Sequence, residues 1–188
     1  MLPYLTEIRG IDVSERMVDR YNADAREAGV SGKRMYAIRG DLMDISEGPL
    51  EGQDFFNFDL IIMSMALHHI DDPKRMIAEL VRRLKPGGRA VIIDWIRSDE
   101  NVNREHGGSS HEQPFNHGAG SGAAHHHEHI PHPGAHTVSF DGFSRDQMQS
   151  WFKEAGCSNS DYVLAESPSQ VPSDPRGQKH MFFAKGTK

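Results

Sequence analysis

The stretch "EIRGIDVSERM", Glu7 to Met17, decides the fold. Ile8 and Ile11 lead to a terminal acid, Asp12, and Ser14 then offers a side chain able to cap a helix whose first apolar position is Met17. A short strand that ends in an acid and runs straight into a helix is the building unit of an open α/β sheet. In such sheets this acid usually follows the second strand, so the chain poses the question of where the first strand lies. The helix is expected over Glu15 to Glu27 and stops at "AGVSG", where Gly29 can take a left-handed conformation.

Working outward, "RMYAIRGD" alternates Met35, Ala37 and Ile38 with polar neighbours and closes on Gly40 and Asp41, a second strand with its own terminal acid. "FDLIIMSM", Phe58 to Met65, is a continuous apolar run, the pattern of a strand buried on both faces near a sheet centre. "DDPKRMIAELVRRL" begins with acids and a proline and sets Met76, Ile77, Leu80, Val81 and Leu84 at helical spacing. "KPGG" should end that helix, and "RAVIIDW" is another buried strand. Strands alternating with helices imply a doubly wound, mostly parallel sheet built from right-handed crossovers.

From Arg97 to His136 the character changes. Nine of the twelve histidines fall here among many glycines, too few apolar groups to offset the entropy of ordering, so a flexible insertion over 97–136 is expected inside a single domain spanning 1–188. Order should resume in "VSFDGFSRDQMQSWFKEAGC", with Ser144 capping a helix that carries Met148, Trp151 and Phe152 on one side. "DYVLAE" and "HMFFAKG", joined by a Pro- and Ser-rich loop over 167–178, read as a C-terminal antiparallel strand pair at one sheet edge. The methionines Met17, Met35, Met63, Met65 and Met76 are expected as core filling, and Cys157 as a packing residue.

Composition narrows the function. With 21 basic against 27 acidic residues the net charge is −6, and no run of Lys or Arg offers a footprint for nucleic acid. One cysteine forms no internal disulfide, no signal-peptide pattern opens the chain and no apolar run approaches the ~20 residues of a membrane span, which favours a cytoplasmic setting.

In open α/β sheets the ligand lies beyond the carboxyl ends of the strands, which singles out Asp12, Asp41, Ser64 to His69 and Asp94 to Ile96. An acid after the second strand can accept both ribose hydroxyls, and one after the third can accept from the adenine amine, so the pair suits an adenosine. In "IRGIDVSERMVD", "IRGDLMD", "FDLIIMSMALHHIDD" and "LVRRLKPGGRAVIID", followed by "GFSRDQMQSWFKEAGC" and two strands, the chain resembles the class I S-adenosylmethionine-dependent methyltransferases. The likeness is to the small-molecule branch that includes ubiquinone and menaquinone biosynthesis enzymes. It implies a Rossmann-like sheet, S-adenosyl-L-methionine as cofactor and a small-molecule methyl acceptor. It further implies that Asp12 with Val13 holds the ribose, Asp41 with Leu42 flanks the adenine, Ser64 and Met65 line the centre of the cofactor, and Leu67, His68 and His69 face the acceptor.

The family's glycine-rich loop after a first strand has no counterpart before Glu7, and "MLPYLT" fits only the end of the helix that would follow it. The family's strand order, 3-2-1-4-5-7-6, sets that first strand between the second and fourth. An N-terminally truncated product is therefore expected, and with it an alternative function as a non-catalytic remnant or scaffold. An NAD-dependent dehydrogenase is the other alternative, since it shares the acid after the second strand but not the final antiparallel pair.

In-line transfer from a sulfonium chiefly needs an aligned acceptor, and a general base only where the acceptor must lose a proton. His68 or His69 could be that base, with helix capping or packing under the loop as the bland alternative. No catalytic residue is assigned. "HHHEHIPHPGAH", His125 to His136, carries imidazole and carboxylate, yet adjacent histidines lack the spaced geometry of a structural metal site. No metal is expected there; a solvated linker or a lid over the acceptor site is.

Overall fold

The structure, a computed structural model, describes residues 4–44, 48–98, 138–171 and 177–188. Strand β1 (Ile8–Asp12) leads through helix α1 (Glu15–Glu27) to β2 (Met35–Arg39). The two strands pair in parallel, Ile8 opposite Met35 and Asp12 opposite Arg39. Ser14 caps α1 by accepting from the Met17 amide. At the other end Gly29, at φ 69°, lets its own N–H and that of Val30 return to the Arg26 and Ala25 carbonyls, which satisfies the last turn. Asn22 of α1 donates to the Ala37 carbonyl at 3.0 Å and accepts from the Ala37 amide at 2.8 Å, locking the helix onto β2.

The second sheet has the order β3-β4-β8-β5. Strand β3 (Phe58–Ser64) connects through helix α2 (Pro73–Arg82) to β4 (Leu84–Trp95), its parallel neighbour. Helix α3 (Arg145–Glu154) then precedes β5 (Asn159–Leu164), a two-residue hairpin of β6 (Ser169–Gln170) and β7 (Gln178–Lys179), and β8 (Met181–Thr187). Strand β8 runs antiparallel to both β4 and β5. The result is a Rossmann-like, mostly parallel arrangement completed by antiparallel strands.

Cross-strand partners share a face. Met63, Ile92, Ala184 and Tyr162 lie on the face against the buried residues of α2 and α3, such as Ile77, Val81, Met148 and Phe152. On the opposite face Leu60, Ile62, Phe183 and Val163 remain 39%, 43%, 42% and 61% exposed. The expectation that Phe58 to Met65 is buried on both faces is therefore corrected: among the described residues β3 is an edge strand, and no helix covers its outer face. β1 and β2 likewise form a separate two-stranded sheet, tied to the common core by Ile11, Tyr36 and Ile38.

Other expectations shift for local reasons. "KPGG" is not a stop before a strand; β4 begins at Leu84, and Gly87 at φ 76° accommodates a bulge where the pairing jumps from Phe58–Leu84 to Leu60–Arg89. The C-terminal pair is not wholly an edge, because β8 is inside the sheet and only β5 borders solvent. The 167–178 loop contains the β6–β7 hairpin. Met17 is 56% exposed rather than core, since α1 turns Val18 and Ala25 inward instead. Beyond Ser98 the histidine- and glycine-rich segment lies outside the described residues, and the metal and lid readings of His125 to His136 lie there with it. Among the described residues no helix is long and apolar enough to cross a membrane.

Candidate active site

Parallel pairing brings the ends of β1 and β2 to one edge. Asp12 closes β1, and its carbonyl accepts from the Gly40 amide at 3.0 Å, so Asp41 leaves β2 on the same side. Asp12 Oδ1 accepts from the Ser14 amide at 2.8 Å, which fixes the carboxylate and leaves Oδ2 for a ligand hydroxyl. Asp41 is exposed, and its Oδ1 accepts from the Met43 amide at 2.8 Å. Val13 is exposed, with its carbonyl held by Arg39 Nε at 3.3 Å. Leu42 is buried, 8% exposed, in the same core cluster as Leu50 and Phe55.

At the end of β3, Ser64 is exposed, and Met65 just past it adopts a left-handed φ of 53° while its amide donates to the Ile93 carbonyl at 2.8 Å. This non-glycine turn sends the chain into a 3-10 turn over Leu67–His69. Leu67 is fully buried. His69 is exposed and its ring is tilted 42° against that of His68 at 4.1 Å. His68 itself is 7% exposed, and its Nδ1 is 2.7 Å from Oδ1 of Asp94, a carboxylate with no exposure at all.

Asp94 stands near the end of β4, on the helix-covered face opposite Phe182. Its oxygens also accept from the His68 amide at 3.2 Å and the Trp95 amide at 2.7 Å. The return of the chain at Val138 is fastened to the same place: Ser139 and Phe140 amides donate to the His68 carbonyl at 2.9 and 3.0 Å, and Ser139 Oγ donates to Asp71 at 2.7 Å. Sequence reasoning noted Asp94 as a residue after a strand but gave it no role. Its partner lies 26 residues away, and only the parallel β3–β4 register brings the two together. Among the described residues no group of three or more His, Cys, Asp or Glu is placed to hold a metal.

The donor and acceptor set fits an adenosyl cofactor in part. Asp12 and Asp41 supply acceptors at the strand ends for hydroxyl and amine hydrogens, and Ser64 with Met65 opens a turn where β3 emerges.

A family model described as a methyltransferase domain matches residues 1–92. An uncharacterized methyltransferase of Schizosaccharomyces pombe is 31% identical over 165 residues, covering 87% of this chain and 50% of that protein. The chain thus spans half the length of this curated relative. The crystal structure of YcgJ from Bacillus subtilis superposes with a TM-score of 0.65 at 17% identity, covering 99% of this chain and 84% of that one. Magnesium protoporphyrin IX methyltransferase from Synechocystis, solved with S-adenosylhomocysteine bound, gives a TM-score of 0.50 at 15% identity, covering 95% and 64%. Residues 1–92 thus match a methyltransferase domain, and the chain as a whole is similar to methyltransferases in sequence and shares the fold of solved S-adenosylmethionine-dependent ones.

Proposed function

We propose that the protein transfers a methyl group from S-adenosyl-L-methionine to a small-molecule acceptor. The observation that carries this reading is the pair Asp12 and Asp41, which follow the carboxyl ends of two adjacent parallel strands. In this assignment Asp12, beside Val13, receives the ribose hydroxyls. Asp41 takes the adenine amine, while Leu42 contributes backbone only. Ser64 and Met65 flank the cofactor's centre, and the turn with His68 and His69 faces the acceptor. The cofactor, when bound, supplies an electrophilic methyl group; these residues bind, orient and handle the acceptor's proton. A net charge of −6 supports a small acceptor over a nucleic acid, and a single, partly buried cysteine supports a cytoplasmic setting.

Calorimetry of the 188-residue chain with S-adenosylhomocysteine and with NADH tests the reading. S-adenosylhomocysteine should bind, and the D12N variant should weaken it about 10- to 100-fold, the worth of a hydrogen bond to a charged acceptor. Tighter binding of NADH, or no binding of S-adenosylhomocysteine, would overturn it. A second reading, a chain that keeps the fold and binds the cofactor weakly or acts as a scaffold, is favoured by the split sheet, in which β1 and β3 each keep an unpaired edge among the described residues. Absence of binding would select it.

A further inference from the structure

We infer that the open face of the β3-β4-β8-β5 sheet is the interface of a two-fold dimer, and that its occupant is the same face of a second copy of this chain. The inference concerns association and stands apart from the transfer reaction.

The register fixes what this face presents. The row Ser64, Ile93, Phe183 and Val163 crosses all four strands, and beside it Ile62 and Val91 continue the apolar surface on β3 and β4. Ile62, Phe183 and Val163 are exposed, although α2 and α3 bury the other face of the same strands. Apolar groups scattered singly are ordinary on a surface, whereas a contiguous group with polar residues at its rim marks a contact. Charge is confined to one end of the face: Arg89 on β4, and Lys185 of β8 opposite Asp161 of β5. Lys185 Nζ lies 2.7 Å from Asp161 Oδ2, so two of these three charges are matched within the chain, and Arg89 stays exposed at the far corner.

This surface is built for another protein surface. No ring of cations surrounds the patch to hold a lipid or a nucleic acid, and the net charge of −6 opposes both. An open sheet face packs against another sheet face about 10 Å away, with the strands crossing at about −30°. Every further copy of the chain carries such a face. Four strands spaced by ~4.8 Å, each presenting about six residues at ~3.3 Å, give a flat footprint of roughly 400 Å². Side-chain relief raises that footprint toward the roughly 800 Å² per partner that a stable interface buries. A two-fold axis along the strands, between β4 and β8, lays β3 over β5 of the second copy. Rows of like character then meet: the apolar rows stay central, and the Lys185–Asp161 pairs remain at the rim, where charge is tolerated.

Sedimentation velocity of the 188-residue chain from about 1 to 100 µM should show monomer passing to dimer, the affinity range of interfaces of this size. Two copies of net charge −6 repel each other, so added salt should tighten the dimer, whereas association through opposite charges would loosen. Hydroxyl-radical footprinting should show Phe183 becoming protected as the dimer forms. I62K and V163K stand on the two edge strands at exposed positions and should each weaken the dimer about 10- to 100-fold. M17K, also at an exposed position but on α1, should leave it in place. Thermal unfolding checks that each variant folds; where one does not, the other decides, and the unaltered chain decides alone where neither does. A monomer at the highest concentration overturns the inference, whether Phe183 is reactive, which means an open face, or already protected, which means that another part of the chain covers it. A dimer that survives both folded variants or loosens with salt overturns it too, as do species that grow beyond two copies.

Discussion

Arg83 has 1% of its surface exposed and ties the end of α2 to the stretch 50–56. Its Nη1 donates to the Leu50 carbonyl at 2.8 Å and the Phe55 carbonyl at 3.4 Å, its Nη2 reaches Glu51 at 3.1 Å, and its guanidinium lies 4.8 Å from the centre of the Phe56 ring. The planar fork matters, because one ammonium cannot serve two carbonyls, a carboxylate and a ring face at once. R83K or R83M should each cost about 2–4 kcal/mol in urea unfolding, through carbonyls left buried and unsatisfied. A loss under about 0.5 kcal/mol, typical of surface substitutions, would refute this. In the sequence Arg83 reads only as a cation at a helix end, because its partners lie 28 to 33 residues away. Asp94 was opaque for the same reason, whereas Asp12 and Asp41 were legible because a strand-terminal acid is a local pattern. Cys157 is a quieter case. Burial pushes its thiol up, and Lys188 opposes that only in part, so alkylation by iodoacetamide at pH 7 should run slower than in a free cysteine peptide.

At the scale of elements, the parts whose signals are local were readable: Ser14 and Gly29 bracket α1, Asp72 and Pro73 open α2, and Ser144 opens α3. Ser144 makes the fuller cap, since its hydroxyl accepts from the Gln147 amide at 3.1 Å while the Gln147 side chain accepts from the Ser144 amide at 2.9 Å. S144A should lower stability by about 1 kcal/mol, visible as a shift in the urea midpoint without a change in slope. Close contact constrains Gly186 on β8 more severely, because an added Cβ would sit 2.3 Å from Cδ1 of Phe152 and 2.8 Å from Cys157 Sγ. G186A should cost about 1–3 kcal/mol, the range of overpacked cores. What escaped the sequence at this scale is what depends on neighbours. An apolar run such as "FDLIIMS" carries no information about whether a partner covers its second face, and a β-bulge at "KPGG" appears only when register with β3 is known.

Across the whole molecule, the two chain ends that border the histidine-rich segment are drawn together by Asp141. Its carboxylate accepts from the Ser98 amide at 3.3 and 3.4 Å and pairs with Lys179 Nζ at 3.0 Å. Just beyond it the Phe143 amide donates to the Trp95 carbonyl at 2.9 Å, and Ile96 forms a parallel bridge with Phe143. Burial pushes the Asp141 carboxyl up, and Lys179 and the Ser98 amide more than offset this, holding it below the usual carboxylate range. A depressed folded value means that its stabilisation is complete above the unfolded carboxylate value of about 3.9 and is lost as pH falls through the lower folded one. D141N should therefore blunt the fall in stability below about pH 4, measured by thermal unfolding at several pH values. The same knot predicts that the segment between its ends is dispensable for folding. Replacing the 37 residues 100–136 by about six Gly and Ser residues should shorten the closed loop enough to favour folding by about 1 kcal/mol, since closure entropy scales with the logarithm of length. The shortened protein should unfold at the same temperature as the full chain or above it and bind S-adenosylhomocysteine with the same affinity. A marked drop in unfolding temperature would mean that the segment contributes contacts that Asp141, Ser98 and the Ile96–Phe143 bridge do not replace.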